Sequence, residues 1–417
     1  MHPRSGQRRS SLRPARWDMP PATPTGAIAA DCRHYRGDKP CTHNRLCAGC
    51  SHYQPYQHRI CIIKLGALGD VIRTLCILPE LRRHYAEAHI TWVSLPSGRR
   101  MIQGHPMIDR VVEFGPMTGM VLMQETFDLL ISLDKEPEPC ALAMSLFAKE
   151  KLGIGLSPQG KPIPLNPEAH AYFHLGLSDE LKFKANQKSY PVLVHEALGL
   201  HDHGQGYTLP VNETRRDRVR LMLASAGWEP GRETIGINVG AGTAFANKMW
   251  PAARQAEVVR LLRGEQPEAQ ILLLGGPPER PIIDRLLAEC SREGGLERII
   301  DAGTEHDEPG FVALVDTCDV LFTGDTMAMH VAIALGKGVV AYFGPTCEQE
   351  IDLYGRGEKL VATVPCGPCY KRVCDRGDAC VNAHSPQQAA AAVARVLEQQ
   401  RDGVTHQLPV IPRRLAG

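Results

Sequence analysis

RICIIKLGALGDVIRTLCILPELRR, residues 59–83, decides the fold. The run RICIIKL (59–65) is β-branched and apolar and stops at Gly66, as a buried strand does. GALGD follows as a glycine-bearing loop. From Val71 to about Tyr85, apolar Val71, Leu75, Leu78 and Leu81 recur every three or four residues, predicting a helix packed against a sheet. Pro79 lies inside that pattern and is expected to kink it or end its first part. Outward from here, HITWVSL (89–95), RVVEF (110–114) and FDLLISL (127–133) read as further strands separated by helical sequence. Such alternation predicts a largely parallel sheet covered on both faces.

Residues 158–231 lose this periodicity and read as a partly structured connection with a helix near 213–226. A second block opens with TIGINVGAG (234–242). It continues with strands at 269–276, near 296–301, 320–325 and 338–344, and with helices near 252–265, 279–291, 309–317 and 327–335. SPQQAAAAVARVLEQQ (385–400) predicts a closing helix capped by Ser385. The expected organisation is a disordered basic N-terminus (1–30) and a cysteine-rich segment (31–55). An N-terminal α/β domain with its linker (56–212), a C-terminal α/β domain (213–384), a helix (385–400) and a tail (401–417) follow.

The length of 417 residues exceeds the usual size of a single core, which supports two domains. Lys+Arg 47 against Asp+Glu 46 leaves no field for general nucleic-acid binding. No apolar run reaches the roughly 20 residues needed to cross a bilayer. The Arg- and Pro-rich N-terminus lacks the apolar stretch of a secretory signal. These features predict a cytoplasmic protein. A peripheral contact with the inner face of a membrane and a homo-oligomer are left open.

The loop Lys64–Asp70 stands where a strand ends and a helix exposes its free N–H groups, a place suited to anions. Gly66 and Gly69 permit close approach. Asp70 is either a helix cap or a general base aimed into a cleft. Asn238-Val239-Gly240-Ala241-Gly242-Thr243 repeats the arrangement in the second block. Lys248 is either a solvated charge or the cation that meets a departing diphosphate. Asp325 and Thr326 open the helix MAMHVAIALG, as caps or as a phosphate-binding helix start. His330, on that helix, is either a satisfied buried histidine or a site residue. Glu279, after Gly275-Gly276, is a first-turn acid or an acceptor for ribose hydroxyls. Gly344-Pro345-Thr346 could shape a pocket wall. No Asp-x-Asp sequence is available to hold a cation on donor phosphates, so no divalent metal is expected in catalysis.

In these motifs the chain resembles the bacterial heptosyltransferases, the ADP-heptose:lipopolysaccharide enzymes of glycosyltransferase family 9. The likeness spans about residues 58–400. It rests on KLGALGDVIRTLCILPELRR (64–83), NVGAGTAFANKMWP (238–251), LLGGPPE (273–279) and FTGDTMAMHVAIALGKGVVAYFGPT (322–346). The resemblance implies two Rossmann-like domains facing a central cleft, the GT-B architecture. It also implies inverting, metal-independent transfer of heptose from ADP-heptose. Asp70 then matches the base, Lys248 the donor-phosphate lysine and Glu279 the ribose acid. Asp325 and Thr326 match the donor-phosphate loop, and His330 the histidine after it. Met327, where the family often has Gly, and Gly66-Ala67, in place of Ser-Ser, depart from the pattern. The implied acceptor is a lipopolysaccharide core saccharide. Another lipid-linked or a protein acceptor, and a non-catalytic metal-stabilised scaffold, stand as alternatives.

Fourteen cysteines include two quartets: Cys32, Cys41, Cys47 and Cys50, and Cys366, Cys369, Cys374 and Cys380. Four thiolates at such spacing suit a closed tetrahedral site for zinc, iron or an iron–sulfur cluster. His34, His43 and His52 are substitutes in the first quartet. The expected additions to the fold are therefore cysteine-rich and metal-binding. Whether they make one site or two is open at this level.

Overall fold

A computed structural model describes residues 28–242, 246–293, 295–377 and 379–403. Most of the basic N-terminus, the end of the tail and Thr243 lie outside the described residues.

The described strands are β1 (His58–Ile63), β2 (Ala88–Ser94), β3 (Arg110–Glu113), β4 (Thr126–Ser132), β5 (Phe147–Leu156), β6 (Pro162–Pro164), β7 (Thr234–Asn238), β8 (Gln270–Leu274), β9 (Ile299–Asp301), β10 (Val320–Gly324), β11 (Gly338–Phe343) and β12 (Gly357–Val361). They form two six-stranded sheets, ordered β3-β2-β1-β4-β5-β6 and β12-β11-β10-β7-β8-β9. Every pairing is parallel except the short edge β5–β6. The two lobes thus repeat one doubly wound order, with switch points between β1 and β4 and between β7 and β10. Strand β1 sits between β2 and β4, pairing Ile62 with Trp92 on one side and Ile131 on the other. Its apolar run is continuous because both of its faces are covered.

Three elements differ from the expected pattern. The helix of 71–85 is two helices, Leu68–Thr74 and Leu78–His84, joined by a 3₁₀ turn at Leu75–Ile77. Pro79 stands in the first turn of the second piece, where its missing N–H is harmless. Besides the expected helix, Glu213–Ser225, the irregular stretch 158–231 holds β6 and the helices Ala169–Leu175 and Tyr190–Ala197. Strands β5 and β12 were not expected. The outer half of β5 is polar and partly exposed, and β12 is an edge strand, so neither carries an apolar signature. The closing helix is Pro386–Arg401, with Ser385 accepting from the Gln388 N–H at 3.2 Å.

One apolar core runs across both lobes. Val71, Ile72 and Leu75 from the first join Met329, Val331 and Ala332 from the second. The helix Met327–Ala334 is apolar on all sides because it is wrapped by its own sheet and by the helix Leu68–Thr74. Each buried Val, Ile, Leu or Met side chain among them contributes about 1.5–3 kcal/mol. The floor of the gap is therefore a packed contact, and two helix N-termini meet above it. Among the described residues no helix is long and apolar enough to cross a membrane.

Candidate active site

A cavity of about 930 Å³ opens between the lobes, at the carboxyl ends of the parallel strands. This is where doubly wound sheets place their ligands. The loops after β1, β7, β8 and β10 all reach it.

From the first lobe, Asp70 stands in the first turn of the helix Leu68–Thr74. Arg73 contacts its Oδ1 at 2.8 Å. Burial alone would raise the Asp70 pKa, but Arg73 and then Lys64 hold its carboxyl below the usual range. Arg73 is itself fixed, lying over the Tyr190 ring at 3.8 Å and 3.4 Å from Glu350. Behind the loop, buried Asp134 accepts from the Leu65 and Gly66 N–H groups and pairs with Lys64. Gly66 is therefore a structural member of the loop, while Gly69 and Asp70 face the cavity. Gly69 has a second reason to lack a side chain. A Cβ there would stand 2.8 Å from the His330 ring of the opposite lobe.

From the second lobe, the Lys248 Nζ lies 3.1 Å from both the Asp325 Oδ2 and the Asp325 carbonyl. Burial would raise the Asp325 carboxyl, but Lys248 keeps it below its ordinary value. Thr326 is the N-cap residue of the next helix, with no side-chain cap bond. Its hydroxyl instead joins Asn238 Nδ2 (3.4 Å) and the Thr323 hydroxyl (3.1 Å). The helix N–H groups are thus left to the cavity. Glu279 accepts from the Gly242 N–H at 3.0 Å and the Gly276 N–H at 2.8 Å, tying two donor-side loops together. A Cβ at Gly240 would collide with the Glu279 side chain at 2.0 Å. Gly240, Ala241 and Gly242 line the cavity, as do Lys248, Glu279, Asp325, Thr326 and His330.

His330 is both buried and a site residue. The Tyr207 hydroxyl lies 3.0 Å from its Nδ1. Burial, and next the positive charge of Arg73, lowers its pKa to about 4 from 6.5, against the pull of Asp325 and Asp70. The neutral ring stabilises the fold fully above pH 6.5, and that contribution is lost as pH falls toward 4. The effect is on the order of 3 kcal/mol. Urea midpoints measured from pH 7 to pH 4.5 are expected to fall less steeply in His330→Gln than in the wild type. Equal slopes would show that His330 is not held neutral. Buried His89 and His105, also lowered to about 4, keep a residual slope in both proteins.

Several cavity residues had no signal in the motifs. Arg73, Arg100, Lys182, Glu350 and Tyr370 come from helix faces and loops that look like ordinary surface. Arg100 makes a two-pronged bond to Glu308 across the gap, at 2.7 Å for each contact. Only charge at the strand-end loops could have flagged Arg73, three residues beyond Asp70.

The cysteine quartets stand apart from this cavity. Cys32, Cys41, Cys47 and Cys50 line one small pocket together with His34, His43 and His52. His43 and His52 stack at 4.1 Å. Cys366, Cys369, Cys374 and Cys380 line a second pocket of about 80 Å³. The quartets are thus gathered separately. Among the described residues, however, no three His, Cys, Asp or Glu side chains are arranged as metal ligands.

Residues 176–379 match Glycosyltransferase family 9 (heptosyltransferase). Lipopolysaccharide heptosyltransferase 1 of Pseudomonas aeruginosa is 24% identical over 339 residues, covering 76% of this chain and 87% of that protein. Among solved structures, the family 9 glycosyl transferase from Veillonella parvula aligns with a TM-score of 0.65 and 21% identity, over 82% of this chain and 98% of its own. The Escherichia coli ADP-heptose lipopolysaccharide heptosyltransferase II aligns with a TM-score of 0.62 and 18% identity, over 82% and 99%. Both share the two-lobed GT-B-like fold. With this fold, a matching family over residues 176–379, similarity along most of the chain and the cleft motifs in order, the chain is similar to the heptosyltransferases of glycosyltransferase family 9.

Proposed function

We propose that the chain transfers a heptose from ADP-heptose to a hydroxyl of a lipopolysaccharide core saccharide, with inversion at the anomeric carbon. One observation carries this reading: Asp70 and Lys248, from opposite lobes, face a single cavity whose other walls are glycine loops and a helix N-terminus. The Asp70 carboxylate takes the proton from the acceptor hydroxyl as its oxygen bonds to the anomeric carbon. The bond from that carbon to the diphosphate breaks on the opposite face. Negative charge growing on the leaving ADP is met by Lys248 and by the free N–H groups of the helix turn that starts at Met327. Glu279 holds the two donor-side loops in register and keeps lone pairs that can accept from ribose.

Similarity to lipopolysaccharide heptosyltransferases supports the donor and the acceptor class. The test mixes the protein with ADP-heptose and a core saccharide lacking its terminal heptose, followed by mass spectrometry. A gain of one heptosyl unit is expected. A protein that binds ADP but transfers only to polypeptide would move the acceptor assignment. One that binds no ADP would support the scaffold reading.

We also infer that the quartets hold structural metal. The donor set, four thiols around each small pocket, has the chemistry of a zinc or iron site. Residues 28–57 contain no regular helix and bury few aliphatic side chains, so a metal would supply much of their folding energy, roughly 10 kcal/mol for a closed zinc site. Cys47→Ser and Cys369→Ser are expected to lower bound metal and the thermal midpoint before they alter turnover. Elemental analysis of purified protein checks this, and stable variants with unchanged metal content would refute it.

A further inference from the structure

The loop that carries the second cysteine quartet also enters the cleft, through Tyr370. The Tyr370 and Cys369 N–H groups both donate to the Pro345 carbonyl, at 2.8 and 3.0 Å. Tyr370 is held at φ 51°, in the left-handed region that a bulky residue enters at a cost. Its hydroxyl accepts from the Cys347 N–H at 3.3 Å. Its ring stacks on Phe183 of the first lobe, with centroids 5.2 Å apart and planes 6° from parallel. The Lys182 ammonium lies 4.2 Å from the same ring.

Both partners sit in one turn, Leu181–Ala185, which is pinned to the second lobe from other directions too. Gln349 Nε2 donates to the Lys182 carbonyl at 3.3 Å, and the Lys182 Nζ stands 3.8 Å from Glu350. Glu350 also meets Arg73, the partner of Asp70. On its other side the same loop reaches the donor half of the site. Asn247 Nδ2 donates to the Lys371 carbonyl at 2.6 Å, and Asn247 directly precedes Lys248. The dipeptide Tyr370–Lys371 therefore touches the wall of the first lobe and the loop that presents the donor lysine.

We propose that Tyr370 is a positioning residue for transfer: with Lys182 and Phe183 it forms a clasp closing the acceptor side of the cleft, and through Lys371 and Asn247 it couples that closure to Lys248. The clasp rests on the transferase reading above. An aromatic stack plus a cation over a ring is a modest attraction. That is enough to set which lobe separation dominates without locking it. A saccharide bound between the lobes would share one cavity with Tyr370 and Lys182 of the clasp and with Asp70. Closure then orients the acceptor hydroxyl while Lys248 is held on the diphosphate.

The experiment compares full-length wild type with Tyr370→Ala, Tyr370→Phe and Phe183→Ala, using ADP-heptose and the core saccharide. Tyr370→Ala is expected to lower kcat/KM for the acceptor by about tenfold or more, while ADP affinity from calorimetry stays within about twofold. Tyr370→Phe keeps the stack and should recover most of the loss. Phe183→Ala, on the other lobe, should reproduce the defect, and the double variant should be no worse than either single. Wild-type kinetics in Tyr370→Ala would overturn the clasp. So would equal failure of the Phe and Ala variants, or a defect confined to ADP affinity.

A second readout needs no turnover. Trypsin cleavage after Lys182 and Lys184, with ADP present, should be slow in the wild type and faster in Tyr370→Ala and Phe183→Ala. Equal rates would also overturn the clasp. A wild type that binds ADP yet transfers no heptose would instead fell the transferase reading, leaving the proteolysis result to decide the clasp.

Discussion

Asp70→Asn is expected to lower kcat by about 10²–10⁴, the range for losing a positioned base, while calorimetric ADP affinity stays near that of wild type. Asn keeps the size of the side chain and can still accept from Arg73, so the first lobe should fold unchanged. What it loses is the lone-pair charge that takes the proton. Arg73 and Lys64 hold the Asp70 carboxyl below its ordinary range. The base is therefore ionised throughout neutral pH, and kcat/KM should lose activity on the acid side only below the usual carboxylate range. Being weak, the base acts late, when departure of the diphosphate has already made the anomeric carbon electron-poor. Full turnover in Asp70→Asn would remove Asp70 from the reaction.

Lys248→Met is the second large effect, expected at about 10²–10³ in kcat, comparable to losing one preorganised donor to a developing anion. Here ADP affinity should fall as well, because the lysine meets charge already present in the ground state. The lysine also compensates Asp325, whose carboxylate has little exposure. Its removal leaves a poorly solvated charge without that partner, and the thermal midpoint should drop. The double variant Lys248→Met/Asp325→Asn separates the two consequences. It should regain much of the stability and little of the turnover. Recovery of both would mean that Lys248 acts through the fold alone.

The doubly wound lobes were legible because buried parallel strands read as continuous apolar runs and their helices as three-to-four-residue stripes. That Asp70, Lys248, Glu279, Asp325 and Thr326 would stand at strand-end loops was legible from the glycines and apolar runs beside them, and all five line one cavity. The predicted role of Glu279 is incomplete, since its two carboxylate oxygens first tie the Gly242 and Gly276 loops. Strand β5, whose outer half is polar, and edge strand β12 were not legible, since polar strands resemble loops. Nor were the helices Ala169–Leu175 and Tyr190–Ala197, short pieces among Pro and Gly whose shape is set by the lobes they join, although Glu213–Ser225 was legible. Arg73 escaped notice because a charged residue on a helix ordinarily faces water.

Local periodicity, readable along the chain, determined most strands of the two sheets and the loops at their carboxyl ends, because both depend on neighbours within a few residues. Tertiary structure alone decided that the two loops share one gap, that His330 stays neutral against Gly69, and that Tyr370 meets Lys182 and Phe183. Those contacts join residues 187 or more positions apart. Their energies come from burial and charge compensation between lobes, which no local pattern encodes.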